Sequence, residues 1–241
     1  MLARLVRFSQ ALIEGRLIRR YKRFLADVEL GDGTVITAHT PNTGSMAGCA
    51  EPGSRVWLSR SDNPRRKYPY SWELVETTTG VLVGINTGLP PLLVQEAIER
   101  GVIGELQGYG TLRREVGYGR ERSRIDLLLE RGEERCYVEV KNVTLVDEQQ
   151  RALFPDAVTA RGTRHLRELM QVVGTEKARG VMVYCVQRED AERFAPAAMI
   201  DPLYARTLAE ALSRGVEAIA YRAAVSPGSI ELVQSLPVEG L

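Results

Sequence analysis

The chain has 241 residues, 44% hydrophobic and 26% charged, the makeup of an ordinary globular protein with length for one large domain or two modest ones. Its formal net charge of +1 demands no polyanion partner, and no apolar run approaches the roughly 18 residues that a membrane span needs. The small sum conceals an asymmetry: Lys and Arg exceed Asp and Glu by four over residues 1–80 and fall three short over residues 81–241.

The first 25 residues carry Arg4, Arg7, Arg16, Arg19, Arg20, Lys22 and Arg23 against the single acid Glu14, with Leu17, Ile18, Tyr21, Phe24 and Leu25 between them. Arg4, Arg7 and Glu14 interrupt the apolar residues of the first fifteen and no small-residue cleavage site follows, so no secretory signal is read and the expected compartment is the cytoplasm. Strands are expected over Phe24–Leu30 and Thr34–Thr40, joined by Gly31-Asp32-Gly33, an Asp-Gly hairpin signal. Further strands are expected over Gly53–Ser59, Ser71–Glu76 and Val81–Ile85, while Pro41-Asn42-Thr43-Gly44-Ser45 and Asn86-Thr87 read as turn chemistry. About five short strands in the first 80 or so residues fit a small β-barrel.

Between two of these strands lies Asp62-Asn63-Pro64-Arg65-Arg66-Lys67-Tyr68-Pro69-Tyr70, followed by Trp72. Cations neutralise phosphates and aromatic faces offer sequence-tolerant stacking, so the stretch suits a nucleic-acid surface. A solvated basic loop with structural aromatics is the competing reading.

From residue 88 the texture is α/β. Helices are expected over Pro90–Arg100, Thr159–Val173 and Pro202–Arg214, each followed closely by Gly101, Gly174 or Gly215. Strands are expected over Thr111–Tyr118, Arg124–Leu129, Cys136–Lys141, Ala178–Gln187 and Val216–Tyr221. The order helix, three strands, helix, strand, helix, strand implies a mixed sheet flanked by helices. The domain boundary falls between Thr79 and Leu89. Cys49, Cys136 and Cys185 are odd in number and lack metal-cluster spacing, and the last two lie in strand-like runs as buried thiols.

The chemistry concentrates in the hairpin Arg124–Lys141. Asp126 and Glu139 both interrupt apolar strands, where an unpaired charge is costly. Glu139 and Lys141 share one face of a strand while Val138 and Val140 face the other way. If the two strands pair, Asp126 lies beside Glu139. With the Val140 carbonyl the two acids form a hard, oxygen-rich set suited to Mg²⁺ or Mn²⁺, and Lys141 would orient or help deprotonate an attacking water. The plain alternative is an ion pair at a strand end. Glu115, on the preceding strand, could supply a further carboxylate, its plain reading being an exposed strand residue. Arg161 and His165 share a helix face, either as a phosphate clamp with a polar helper or with His165 as a structural histidine. His39 has no partner in sequence. Walker, nucleophile-elbow and dinucleotide motifs are lacking.

Taken together, Arg20-Tyr21-Lys22-Arg23-Phe24-Leu25-Ala26-Asp27-Val28, Pro41-Asn42-Thr43-Gly44-Ser45-Met46, Arg65-Arg66-Lys67-Tyr68-Pro69, Ser123-Arg124-Ile125-Asp126, Glu139 to Leu145, Phe154 to Thr159, Arg161-Gly162 and His165 to Met170 closely resemble the sugar fermentation stimulation protein A (SfsA) family. The resemblance runs from about residue 17 to the end. It implies an α/β chain of two domains: an OB-fold-like nucleic-acid-binding barrel over residues 1–84, with 1–16 a variable extension, and a PD-(D/E)xK nuclease-like domain over residues 85–241. It also implies non-specific DNA binding and a link to regulation of sugar (maltose) metabolism. Carried over, the nuclease-like motif falls on Asp126, Glu139 and Lys141, with Ile125 where the superfamily name has proline; for the further acid such nucleases contribute from elsewhere, Glu115 is the first candidate and Glu96 or Glu99 are alternatives.

Two functions follow as expectations. One is a DNA-binding protein, RNA also being admitted, with an Mg²⁺- or Mn²⁺-dependent nuclease site. Here Arg19, Arg20, Lys22, Arg23, Arg65, Arg66 and Lys67 hold the strand. The other is a DNA-binding regulator that keeps the nuclease scaffold without turnover. No membrane partner is expected, and a homodimer is compatible with a sequence that does not fix the oligomeric state.

Overall fold

The computed structural model describes residues 8, 10–119, 123–174 and 178–240. Strands β1 (Ile13–Tyr21), β2 (Leu25–Leu30), β3 (Val35–His39), β4 (Arg55–Arg60) and β5 (Tyr70–Glu76) run in the order β3-β2-β1-β4-β5. A parallel β3–β5 pairing through Ala38 and Tyr70 closes them into an OB-like five-stranded barrel, and β6 (Leu82–Gly84) adds to β5. Leu17, Val28, Ala38, Val56, Leu58, Trp72 and Val75 fill the interior. Closure requires strands to bend, and the extra residues Ile18 in β1 and Glu73 in β5 supply the bends. Gly15 lets β1 lie close on β2, since a Cβ there would stand 2.8 Å from the Glu29 carbonyl.

One segment of this region was not anticipated as a strand, and one reading needs correction. Residues 13–16, assigned to a variable extension, are the first half of β1 and pair with β4 through Ile13 and Leu58. Their charge masks the strand, because only Gly15 and Leu17 of this stretch point inward. Trp72 is fully buried, its Nε1–H donating to the Leu74 carbonyl at 2.8 Å, and offers no face for stacking. Tyr68 and Tyr70 are half-buried.

The second region is a mixed six-stranded sheet in the order β15-β14-β12-β9-β8-β7. It comprises β7 (Thr111–Tyr118), β8 (Ser123–Arg131), β9 (Glu134–Val143), β12 (Ala178–Val186), β14 (Glu217–Val225) and β15 (Ile230–Leu236). The last of these was not anticipated. A smaller sheet of β10 (Leu145–Val146), β11 (Arg151–Phe154) and β13 (Arg193–Pro196) was also unanticipated. Val138, Val181 and Val183 face α1 (Pro90–Glu99), packing on Leu93, Val94 and Ala97. Met182, Tyr184 and Val186 face α2 (Ala160–Val173) and α3 (Pro202–Ser213), packing on Leu166, Leu169, Tyr204 and Leu208. This alternation is the period of a strand buried on both faces.

Barrel and sheet are joined by more than the chain. Trp57 and Leu74 of the barrel belong to the same apolar core as α1. Gly84 donates its N–H to the Gln187 carbonyl at 2.9 Å, and Val83 bridges to Arg188. Among the described residues no helix is long and apolar enough to cross a membrane.

Candidate nuclease-like site

The β8–β9 ladder runs from the Arg131–Glu134 turn to Leu127 opposite Val138. Asp126 and Glu139 would be the next pair, and there the ladder stops. The freed Val140 N–H is taken by Asp126 Oδ2 at 2.7 Å, so the carboxylate replaces a backbone acceptor and is fixed beside Glu139. Beyond this point β9 is paired with β12, which keeps Glu139 and Lys141 on one buried face.

On that face Lys141 Nζ donates to Glu139 Oε1 at 2.7 Å. His165 comes from α2, whose Leu166 and Leu169 stripe anchors it against the sheet. Its Nδ1 meets both Glu139 Oε1 and Lys141 Nζ, the latter at 3.2 Å. Arg161 Nε lies 3.4 Å from His165 Nε2 and donates to it. Nε2 is then the acceptor, so Nδ1 carries the hydrogen and donates to Glu139. Helix α2 is started by Thr159, whose hydroxyl accepts the Gly162 N–H at 3.0 Å. Glu139 is 3% exposed. With Oε1 so engaged, its Oε2 is buried without a hydrogen-bond partner.

Electrostatics separates the two acids. Burial, aided by the Glu139 charge, pushes Asp126 up to about 7, against the opposing pull of the Val140 N–H and Lys141. Burial also raises Glu139, but the Lys141 ammonium and the His165 hydrogen bond outweigh it and hold Glu139 below its ordinary value.

Asp126, Glu139, Val140, Lys141 and Arg161 line a cleft of about 320 Å³. Its other wall is Asn42, Thr43 and Gly44 of the barrel, with Thr87, Asn142 and Asp156 between. Sequence reasoning had not placed these in the site. Their only signal was position: the 42–44, 142 and 156 positions fall within the runs that carry the family resemblance.

Glu115 is not in the cleft lining. It is exposed, has φ of 52°, sits between Arg114 and Val116, which pair with Leu127 and Ile125, and adds a raising charge to Asp126. Glu96 is buried on α1 and bonded to Arg100 at 3.2 Å, while Glu99 accepts from Gln95. Neither lines the cleft. Of the basic residues, Arg19 pairs with Asp27 at 2.9 Å and stacks over Tyr21. Arg66 donates to Ser71 Oγ at 2.9 Å. Lys22, Arg65 and Lys67 are exposed. Arg20 and Arg23 turn toward carbonyls of the 42–45 loop. His39 is half-buried in β3.

No group of three or more His, Cys, Asp or Glu side chains is arranged to hold a metal among the described residues. What exists is two carboxylates and a carbonyl. Mg²⁺ and Ca²⁺ accept oxygen donors and keep waters, so one or two carboxylates suffice. The partnerless, buried Glu139 Oε2 is the atom such a cation would satisfy, and the residues fit the group.

The profile described as the SfsA N-terminal OB domain matches residues 18–85, and that of the sugar fermentation stimulation protein RE domain matches residues 88–229. A sugar fermentation stimulation protein homolog of Geobacter metallireducens is 61% identical over 97% of this chain and 99% of its own length. That of Pelobacter propionicus is 64% identical over 94% of this chain and 97% of its own length. Among solved structures, Pyrococcus furiosus SfsA in complex with Ca²⁺ superposes with a TM-score of 0.87 at 29% identity, covering 98% of each chain.

Proposed function

This chain belongs to the sugar fermentation stimulation protein (SfsA) family, and from that premise we propose that it binds nucleic acid and hydrolyses phosphodiesters with a divalent cation, Mg²⁺ or Mn²⁺, at Asp126 and Glu139. The observation that carries this reading is the buried Glu139 Oε2, partnerless beside Lys141 in a cleft open to solvent. The Pyrococcus furiosus relative was solved with Ca²⁺, which supports a divalent ion for this site. When bound, such an ion supplies charge stabilisation to a phosphodiester and lowers the pKa of a bound water.

This chain's own residues do the rest. Asp126 and the Val140 carbonyl are set by the end of the β8–β9 ladder. Lys141 and His165 hold Glu139 Oε1 so that Oε2 faces the ligand, an outer layer of hydrogen bonds that orients a ligating carboxylate. Lys141 also lies where it orients the attacking water or stabilises developing negative charge. Arg161, at the cleft rim, contributes positive charge toward a phosphate. DNA is the proposed substrate, with RNA as a second substrate to test, and the compartment is the cytoplasm.

Incubation of the protein with single- and double-stranded DNA or RNA, with Mg²⁺ or Mn²⁺, tests the reading. Cleavage lost in Asp126→Ala and Glu139→Ala supports it, and cleavage that survives both overturns it. A second reading, a DNA-binding regulator without turnover, is favoured by one feature. Lys141 and His165 already compensate Glu139 Oε1 internally, which stabilises the site without an ion. It predicts salt-dependent DNA binding and no cleavage.

A further inference from the structure

The barrel supplies one wall of the cleft, and two arginines orient the backbone of that wall. Arg20 donates to the carbonyls of Asn42 at 3.0 Å, Gly44 at 2.9 Å and Ser45 at 3.3 Å. Arg23 takes the Thr43 carbonyl at 2.9 Å from a turn in which Lys22 and Arg23 both have positive φ, 49° and 64°. Left-handed backbone is unfavourable for non-glycine residues, so the turn that presents Arg23 is held against strain. A trans peptide is planar with its C=O and N–H directed oppositely. Drawing the Asn42, Gly44 and Ser45 carbonyls onto Arg20 therefore aims the N–H groups of Thr43, Ser45 and Met46 the other way.

The third of these shows what lies in that direction. The Met46 N–H meets Asp156 Oδ2 at 3.1 Å, and Asp156 lines the cleft. An anion is thus already seated at one end of the row. The Thr43 and Ser45 N–H groups have no partner among the described residues. Gly44 permits the close approach, since a Cβ would stand 2.5 Å from the Asp156 carboxylate. Across the cleft stand Lys141, Arg161 and the partnerless Glu139 Oε2.

Resting on the nuclease reading above, we propose that the 42–45 loop is a phosphate cradle. It receives the phosphate of one nucleotide unit of an unpaired strand through the Thr43 and Ser45 N–H groups. Successive backbone N–H groups turned to one side form an anion-binding concavity. Arg20 and Arg23 are positioning residues that act through the loop and do not touch the phosphate. The cleft volume of about 320 Å³ sits at the small end of ligand pockets, roughly 300–1,000 Å³. That is room for a single nucleotide.

The test uses the full chain, labelled with ¹⁵N and held in Ca²⁺, titrated with thymidine 5′-monophosphate and with the dinucleotide dTpdT. The Thr43 and Ser45 amide resonances shift saturably with both probes. Arg20→Lys keeps the charge but loses the fork, and weakens both affinities at least fivefold. Arg206→Ala, an exposed charge loss on α3, leaves them unchanged. Shifts at Lys141 and Arg161 without Thr43 and Ser45 overturn the cradle and leave the nuclease site standing. No shift anywhere in the cleft overturns both. A duplex dodecamer that moves the loop amides as strongly as dTpdT overturns the preference for an unpaired strand.

Discussion

Asp126 accepts the Val140 N–H at 2.7 Å at the place where β8 and β9 cease to pair. One hydrogen bond therefore ends a ladder and fixes a carboxylate beside Glu139. In Asp126→Ala the Val140 N–H loses its acceptor, at a stability cost of about 1–3 kcal/mol, and divalent-cation binding is lost with it. Asp126→Asn keeps an acceptor for Val140, so its unfolding midpoint in urea stays nearer wild type while cation binding still falls.

Cation binding itself is read by thermal unfolding. At a free Ca²⁺ or Mn²⁺ concentration 100-fold above Kd the folded state gains about 2.7 kcal/mol, and Glu139→Gln removes that gain. Because burial and the Glu139 charge hold Asp126 at about 7, the ion displaces a proton. Calorimetry then shows affinity rising with pH through that value. A pH-independent Kd would contradict the assignment of Asp126 as a ligand.

Lys141→Met leaves the Glu139 charge buried with His165 as its remaining partner. Breaking a buried pair by removing one member costs about 3–5 kcal/mol, and retention of His165 places this variant toward the lower figure. Saturating cation restores part of the stability, since the ion neutralises the same carboxylate. Cleavage does not return with it.

The proposed function predicts that nucleic-acid binding through the exposed Arg65 and Lys67 follows counterion release. A plot of log K against log salt has a negative slope, and each Ala substitution makes it shallower by about 1. Trp72→Ala, by contrast, opens the barrel core and costs about 3–5 kcal/mol in stability. Affinity measured on the surviving folded fraction is unchanged.

Asp27 governs the acid side of barrel stability. Burial alone would raise it, but hydrogen bonds from Arg19, Thr37 and Tyr21 outweigh this and hold it below its usual value. A group lowered on folding stabilises the fold above its unfolded value, near 3.8, and loses that contribution as pH falls toward the folded value. Asp27→Asn therefore flattens the acid limb of the stability curve below about pH 5 and leaves the neutral region level. Urea midpoints between pH 2 and 7 measure it.

Local pattern made the Arg124–Lys141 hairpin readable, because period-2 alternation places Glu139 and Lys141 together without any knowledge of the rest of the chain. Helix α2 was equally plain from Leu166, Leu169 and its glycine stop. The strand β1 was hidden by its charges, and β10, β11 and β13 are too short to show a period. The Asn42–Gly44 wall lay beyond local reasoning for another reason. Met46, just past that wall, meets Asp156 110 positions away, and nothing in a turn sequence says which distant acid it will meet. Trp72 looked like a stacking surface because a basic loop precedes it. The strand parity that turns it inward depends on barrel closure.

The chain between barrel and α1 has no slack. Ile85 donates to the Glu73 carbonyl at 2.9 Å, Thr87 to that of Pro41 at 3.2 Å, and Trp57 and Leu74 lie in the core beneath α1. A barrel joined in this way is not an interchangeable module. Transplanting it onto another scaffold, or adding residues between 85 and 89, would strip the cleft of one side. The two halves thereby make the cleft only together, and neither wall is complete without the other.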